Sequence, residues 1–249
     1  MKDFVINEWE DFIDNFDHLK KSLSTYKSGD QKEFKWMILT LFMTLQSLFV
    51  LCLKNTDFHN VTRNFSKKKG YKFVLCANWD AGKVEVDHKS KIVEMSTHFR
   101  VDFRKDQFDQ INHELSDPLS KDEFAEIFSQ CWRLIDFDEL YKRVKSSRMM
   151  QFINSKPLPA EKRYDDAIND LIDLRNQFIH FVPKQWMILE GHLRTVVLPC
   201  MEIISFLLGE SGNIHRDDGK TFRDEAQKII QSFTNQTDRD SHAASSLSA

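Results

Sequence analysis

Glycine and proline are scarce, with seven and five in 249 residues, about 5% together against about 12% in an average globular chain. So few breakers exclude collagen-like, glycine-rich and linker-dominated proteins and leave room for long helices. Cysteine is sparse as well. Cys52, Cys76, Cys131 and Cys200 lie far apart, with no Cys-x-x-Cys pair and no Cys/His cluster at zinc-finger spacing, which argues against a disulfide scaffold and structural zinc. Neither sign of charge dominates: 35 Lys and Arg against 38 Asp and Glu leave a formal charge of −3. No global positive field then holds a polyanion at long range, and any nucleic-acid contact must be local. The N-terminal MKDFVINEWEDF is acidic and amphipathic, unlike a secretory leader, so a reducing cytoplasm is the expected location. The N-glycosylation patterns at Asn60, Asn64 and Asn235 carry no weight there.

What the chain does have is apolar spacing. Val5, Trp9, Phe12, Ile13, Phe16, Leu19, Leu23 and Tyr26 recur mostly three and four apart, the pattern of an amphipathic helix with one buried stripe. Trp36 to Leu53 is uncharged and long enough to be tested as a membrane span. Thr40, Thr44, Gln46 and Ser47 interrupt it, and the central helix of a soluble bundle is also apolar nearly all round. No membrane association is expected. From about Asn55 to Pro118 the helical period fades, and two short strands are expected, Tyr71–Ala77 and Lys83–Asp87, on either side of Asn78–Gly82. Helical spacing returns after Ser120-Lys121-Asp122-Glu123, a helix start, with Phe124, Ile127, Cys131, Leu134 and Ile135. A further helix within Leu189–Leu208 should bend at Pro199, and a last one is expected over Thr221–Phe233.

The expected fold is therefore mainly α, an antiparallel helical bundle with a small β-containing insertion. It is one domain over residues 1–235, interrupted at about 55–118, with a mobile tail over 236–249.

The informative stretch is Arg163–Phe181, RYDDAINDLIDLRNQFIHF. Ala167, Leu171, Leu174, Phe178 and Phe181 share a face, with Asn169, Asp173, Asn176 and His180 beside it. Pro183 disfavours helix at Val182, so the helix should stop near His180. Arg175 and His180 pair a permanent guanidinium with the side chain that titrates near neutrality, a combination suited to phosphate transfer. Five residues turn an ideal helix by about 500°, leaving the two Cα positions roughly 140° apart, so within one helix they meet only through the reach of Arg175. Asn176 and His180 are the same-face pair. Ion pairs with Asp170 and Asp173 are the bland alternative for Arg175 and His180.

Leu174-Arg175-Asn176, then His180, then Phe181-Val182-Pro183-Lys184-Gln185-Trp186, resembles the R-x4-6-H signature of the HEPN superfamily, with the polar residue after the arginine present as Asn176. The resemblance implies a HEPN-like helical bundle and metal-independent cleavage of RNA, in which the ribose 2′-hydroxyl attacks the adjacent phosphorus and leaves a 2′,3′-cyclic phosphate. Arg175 would then steady the phosphorane charge, His180 would act as general acid or base, and Asn176 would orient His180 or the phosphate. No metal and no cofactor are implied. The implied partners are RNA, a second copy whose motif faces the first across a composite site, and a cognate antitoxin or regulatory protein. The implied biology is a toxin or an antiviral-defence effector. The different-class alternative is a non-catalytic HEPN-like module that binds a nucleotide or RNA. Relatives silenced by tyrosine nucleotidylation carry Tyr two residues after the motif His, where this chain has Val182, so that control is not implied. Lys67, Lys68, Lys69 and Lys184 are candidate RNA contacts, set against the commoner solvated flank of an edge strand.

Other constellations fail. Gly219-Lys220-Thr221 resembles a phosphate loop, but Gly212 lies too far before it and no strand precedes it. His88 and His98 have no partners at metal-site spacing, and Trp79 and Trp132 are expected in core or partner surface rather than on bases.

Overall fold

A computed structural model of the chain describes residues 7–27, 32–54, 60–77, 84–97, 105–150, 155–179, 193–214 and 219–246. The protein is mainly helical with one small sheet, and it divides into two compact units, Met1–Cys52 with Tyr141–Ala249, and Leu53–Leu140.

In the first unit, helix α1 (Glu8–Lys27) begins where Asn7 Oδ1 accepts hydrogen bonds from the backbone of Trp9 and Glu10, supplying donors of the first turn with an acceptor. The expected stripe is buried at Trp9, Phe12, Phe16, Leu19 and Leu23. Phe222 of α8 (Gly219–Ser246) meets Trp9, Phe12 and Phe16 edge-on, each at 5.8 Å between ring centres, and Lys20 reaches Glu225 at 2.8 Å beside them. Helix α8 continues past Phe233 to Ser246, because no glycine or proline after Phe233 stops it before that point.

Helix α2 (Glu33–Lys54) is the one helix among the described residues long and apolar enough to cross a membrane. Its apolar surface goes to the core, with 67% of its most apolar stretch buried. The hydroxyls of Thr40, Thr44 and Ser47 donate back to the carbonyls of Trp36, Thr40 and Met43, which satisfies them without leaving the helix. Helix α6 (Lys162–Ile179) carries Asp165, whose carboxylate accepts from Lys145 and, at 2.7 Å, from the hydroxyl of Tyr141 on α5 (Phe137–Val144). Just before Pro199 a π-helical turn, Leu193–Val197, passes directly into α7 (Leu198–Gly209), with the proline in its first turn. Pro199 has no N–H to donate back to that preceding turn, so it stands at the junction where the helical hydrogen-bonding pattern changes.

The second unit holds four strands, β1 (Phe65–Lys68), β2 (Tyr71–Ala77), β3 (Val84–Asp87) and β4 (Ile92–Thr97), in the order β1-β2-β4-β3. The two expected strands are β2 and β3, but they are not neighbours. β4 lies between them, parallel to β2 and antiparallel to β3. The β3–β4 turn explains this: Asp87 accepts from the backbone of Lys89 and Ser90 and Lys91 has a φ of 56°, a tight reversal that pairs β3 with β4 first. Phe73, Leu75, Val84, Val93 and Met95 form the inner face of the sheet. They pack on Ile111 of α3 (Lys105–Glu114) and on Phe124, Ile127, Phe128 and Cys131 of α4 (Lys121–Cys131). The helix start expected at Ser120 is a complete capping box, with Ser120 Oγ accepting from Glu123 N and the Glu123 carboxylate accepting from Ser120 N.

Candidate functional site

Tyr164, Ala167, Ile168 and Leu171 of α6 are buried, whereas Leu174, Arg175, Asn176 and Phe178 are half-buried. The last two turns of the helix thus lie at the margin of the core. Arg175 follows Ile168 by seven residues, about 700° of helical rotation and so within roughly 20° of two full turns. It belongs to the buried stripe and not to the polar row beside it.

That placement decides its contacts. The guanidinium carbon of Arg175 lies 4.9 Å from the centre of the Phe42 ring on α2, within the range of a cation–π contact. Its Nη1 donates to Asn176 Oδ1 at 2.9 Å. One helical turn further, Phe178 meets Phe34 of α2 edge-on at 6.2 Å. The floor of the site is therefore aromatic, and the positive group rests on it. Among the described residues Arg175 has no carboxylate partner, and Asp170 and Asp173 of the same helix are exposed. One of the five guanidinium donors is committed to Asn176.

His180 directly follows the last residue of α6 and, like Lys184, lies outside the described residues.

No protein-family model, curated protein or solved structure matches this chain.

The remaining candidates belong to the second unit. Lys67 is exposed on β1. Lys68 on the same strand pairs with Glu126 at 2.6 Å, and that hydrogen bond holds its ammonium above the usual lysine range. Lys69, in the β1–β2 turn with a φ of 48°, lies 3.0 Å from Asp117 and 3.3 Å from Glu123 and donates to the Pro118 carbonyl. Asp117 raises its pKa in the same way. Two of the three consecutive lysines are thus occupied by carboxylates, and Lys67 makes no ion pair among the described residues. No group of three or more His, Cys, Asp and Glu side chains converges among them either.

Phe42 is the residue of this site that sequence reasoning missed. It sits inside an uncharged run where every position reads as core, and nothing local marks it as the platform for a cation.

Proposed function

We propose that the chain is a HEPN-type endoribonuclease that cleaves RNA without a metal ion, with Arg175, Asn176 and His180 as its motif. The observation that carries this reading is the placement of Arg175: a guanidinium on an aromatic floor in the last turns of α6, five residues before His180 in sequence and without a carboxylate partner among the described residues.

In the proposed reaction the ribose 2′-oxygen forms a bond to the adjacent phosphorus as the bond to the 5′-oxygen breaks. The products are a 2′,3′-cyclic phosphate and a 5′-hydroxyl. The proton leaves the 2′-hydroxyl and a proton is delivered to the departing 5′-oxygen, with His180 as the general acid or base. Arg175 balances the charge that builds on the non-bridging oxygens. Asn176, hydrogen-bonded to Arg175, fixes the direction of the fork. A second copy bringing its own motif to the same scissile linkage is part of this proposal, as is a role as toxin or defence effector acting in the cytoplasm.

The stacking of Arg175 on Phe42 favours one second reading, a module that binds RNA or a nucleotide without cleaving it, since a stacked guanidinium is already partly engaged. Incubating the purified protein with mixed RNAs in EDTA separates the two. Cleavage that persists in chelator and is lost in both Arg175→Ala and His180→Ala, at unchanged thermal stability, supports the nuclease. Binding without cleavage supports the module.

A further inference from the structure

With α3 and α4 packed on one side of the sheet, alternate residues of the four strands form the other side, and the register arranges them in rows. One row runs Lys67, Lys72, Ile92 and Asp87 across β1, β2, β4 and β3, and the next runs Phe65, Val74, Glu94 and Glu85. On the β1–β2 half, two lysines therefore stand directly opposite one another with Phe65 and Val74 in the row beside them. Like charges directly opposite across a ladder repel and destabilise the pairing. Lys68 and Lys69, the next residues of the chain, are taken up by carboxylates, whereas Lys67 and Lys72 are exposed and make no ion pair among the described residues. Phe65 is 45% exposed, and the Lys72 ammonium lies over its ring at 5.2 Å.

An anion seated between Lys67 and Lys72 removes their repulsion, and a flat apolar group beside it covers Phe65. A nucleotide carries both, as phosphate and base. We propose that the β1–β2 half of this face binds single-stranded nucleic acid, with a phosphate held between Lys67 and Lys72 and the neighbouring base stacked on Phe65. A stacked base contributes more than the exposed cation–π contact it displaces from the ring, and every base has a face to offer, so little sequence preference is expected. The carboxylates of the same face set the limit of the site. At about 4.8 Å between strands and about 3.3 Å per residue, Glu94 stands roughly 10 Å from the middle of the lysine pair, and Asp87 and Glu85 stand further away. All three then lie beyond the screening length of about 8 Å at physiological salt, and Asp87 is turned into its own loop, accepting from the backbone of Lys89 and Ser90. The site holds a short stretch of strand along β1 and β2, and its binding is weak and local, in keeping with a chain whose formal charge is −3.

The proposal does not rest on the nuclease reading. A fluorescein-labelled oligodeoxythymidylate has no 2′-hydroxyl to attack phosphorus, so its fluorescence anisotropy with the full chain measures binding alone, whether or not the chain cleaves RNA. The parent binds it, and raising the salt weakens the binding severalfold. Lys67→Gln/Lys72→Gln and Phe65→Leu each weaken it by about tenfold, and Phe65→Tyr, which keeps a ring, retains it. Lys21→Gln/Lys228→Gln, the same loss of charge from exposed lysines of α1 and α8, changes it by less than about twofold. The binding that remains in Arg175→Ala, where the α6 motif is disabled, shows the same dependence on Lys67, Lys72 and Phe65. A duplex of the same length, whose bases are already stacked on one another, binds more weakly than the single strand. A parent that binds nothing at near-millimolar protein overturns the proposal. So does a loss in the Lys67/Lys72 variant matched by the Lys21/Lys228 variant, a Phe65→Leu chain that binds as the parent does, a duplex bound as well as the single strand, or binding that disappears with Arg175 alone.

Discussion

The guanidinium of Arg175 and the ring of Phe42 face one another at 4.9 Å across α6 and α2, and this contact ties the motif helix to α2. Replacing Phe42, which is 8% exposed, with Leu keeps an apolar side chain of similar bulk but removes the π face. The coupling between Phe42→Leu and Arg175→Ala in a double-mutant cycle should be about 0.5–1 kcal/mol. Urea denaturation of the four proteins measures it. Additive effects would mean that the contact contributes nothing to the fold and that Arg175 is held by Asn176 alone.

Ser120 and Glu123 cap α4 reciprocally. Ser120→Ala removes the acceptor for the Glu123 N–H and should cost about 1 kcal/mol. Glu123 also lies 3.3 Å from Lys69, and its carboxyl is held below the usual range, chiefly by the Ser120 backbone. Glu123→Gln keeps an acceptor for Ser120 N and loses the charge, so the unfolding midpoint should fall less than for Ser120→Ala.

Gly209 ends α7 against Arg223 of α8. A Cβ built there would stand 2.2 Å from Arg223 Cδ, and Arg223 Nε is already buried without a hydrogen-bond partner among the described residues. Alanine in a helix is worth about 1 kcal/mol over glycine, whereas overpacking costs about 1–3 kcal/mol. Gly209→Ala alone should therefore gain nothing. In an Arg223→Ala background the obstruction is gone, and the same substitution should stabilise by about 1 kcal/mol. Equal effects in the two backgrounds, read by thermal unfolding, would show that Arg223 moves aside freely.

Asp165 and Tyr141 set two pH limits. Lys145, and then the Tyr141 hydroxyl, hold the Asp165 carboxyl below its ordinary value. Its contribution is complete above the unfolded pKa, about 3.9, and is lost as pH falls through the lower folded value. Tyr141 is shifted upward, first by burial and then by Asp165. Its contribution is complete below the unfolded value, about 10, and is lost as pH rises beyond that toward the folded value. Asp165→Asn should flatten the acid limb of a stability–pH curve measured by urea unfolding. An unchanged acid limb would remove Asp165 from that account.

The mainly helical character, the stripe of α1 and the start of α4 at Ser120 were all legible in the sequence, because each follows from local terms. These are the 3.6-residue period of apolar side chains and a side chain that caps its own helix. The strand order was not legible. β1 contributes one buried side chain, Ser66, hydrogen-bonded to Gln130 of α4, and so shows no alternation. β4 takes its place between β2 and β3 through pairings between residues distant in sequence. At the candidate site, the sequence by itself determined that an arginine, an asparagine and a histidine stand within six consecutive residues, Arg175 to His180. Only the tertiary structure decided that Arg175 stacks on Phe42, that Lys68 and Lys69 are taken up by Glu126, Asp117 and Glu123, and that Lys67 faces Lys72. The physical reason is range: helix periodicity and caps act within four residues, whereas the partner of a charge is set by whichever element the folded chain brings beside it.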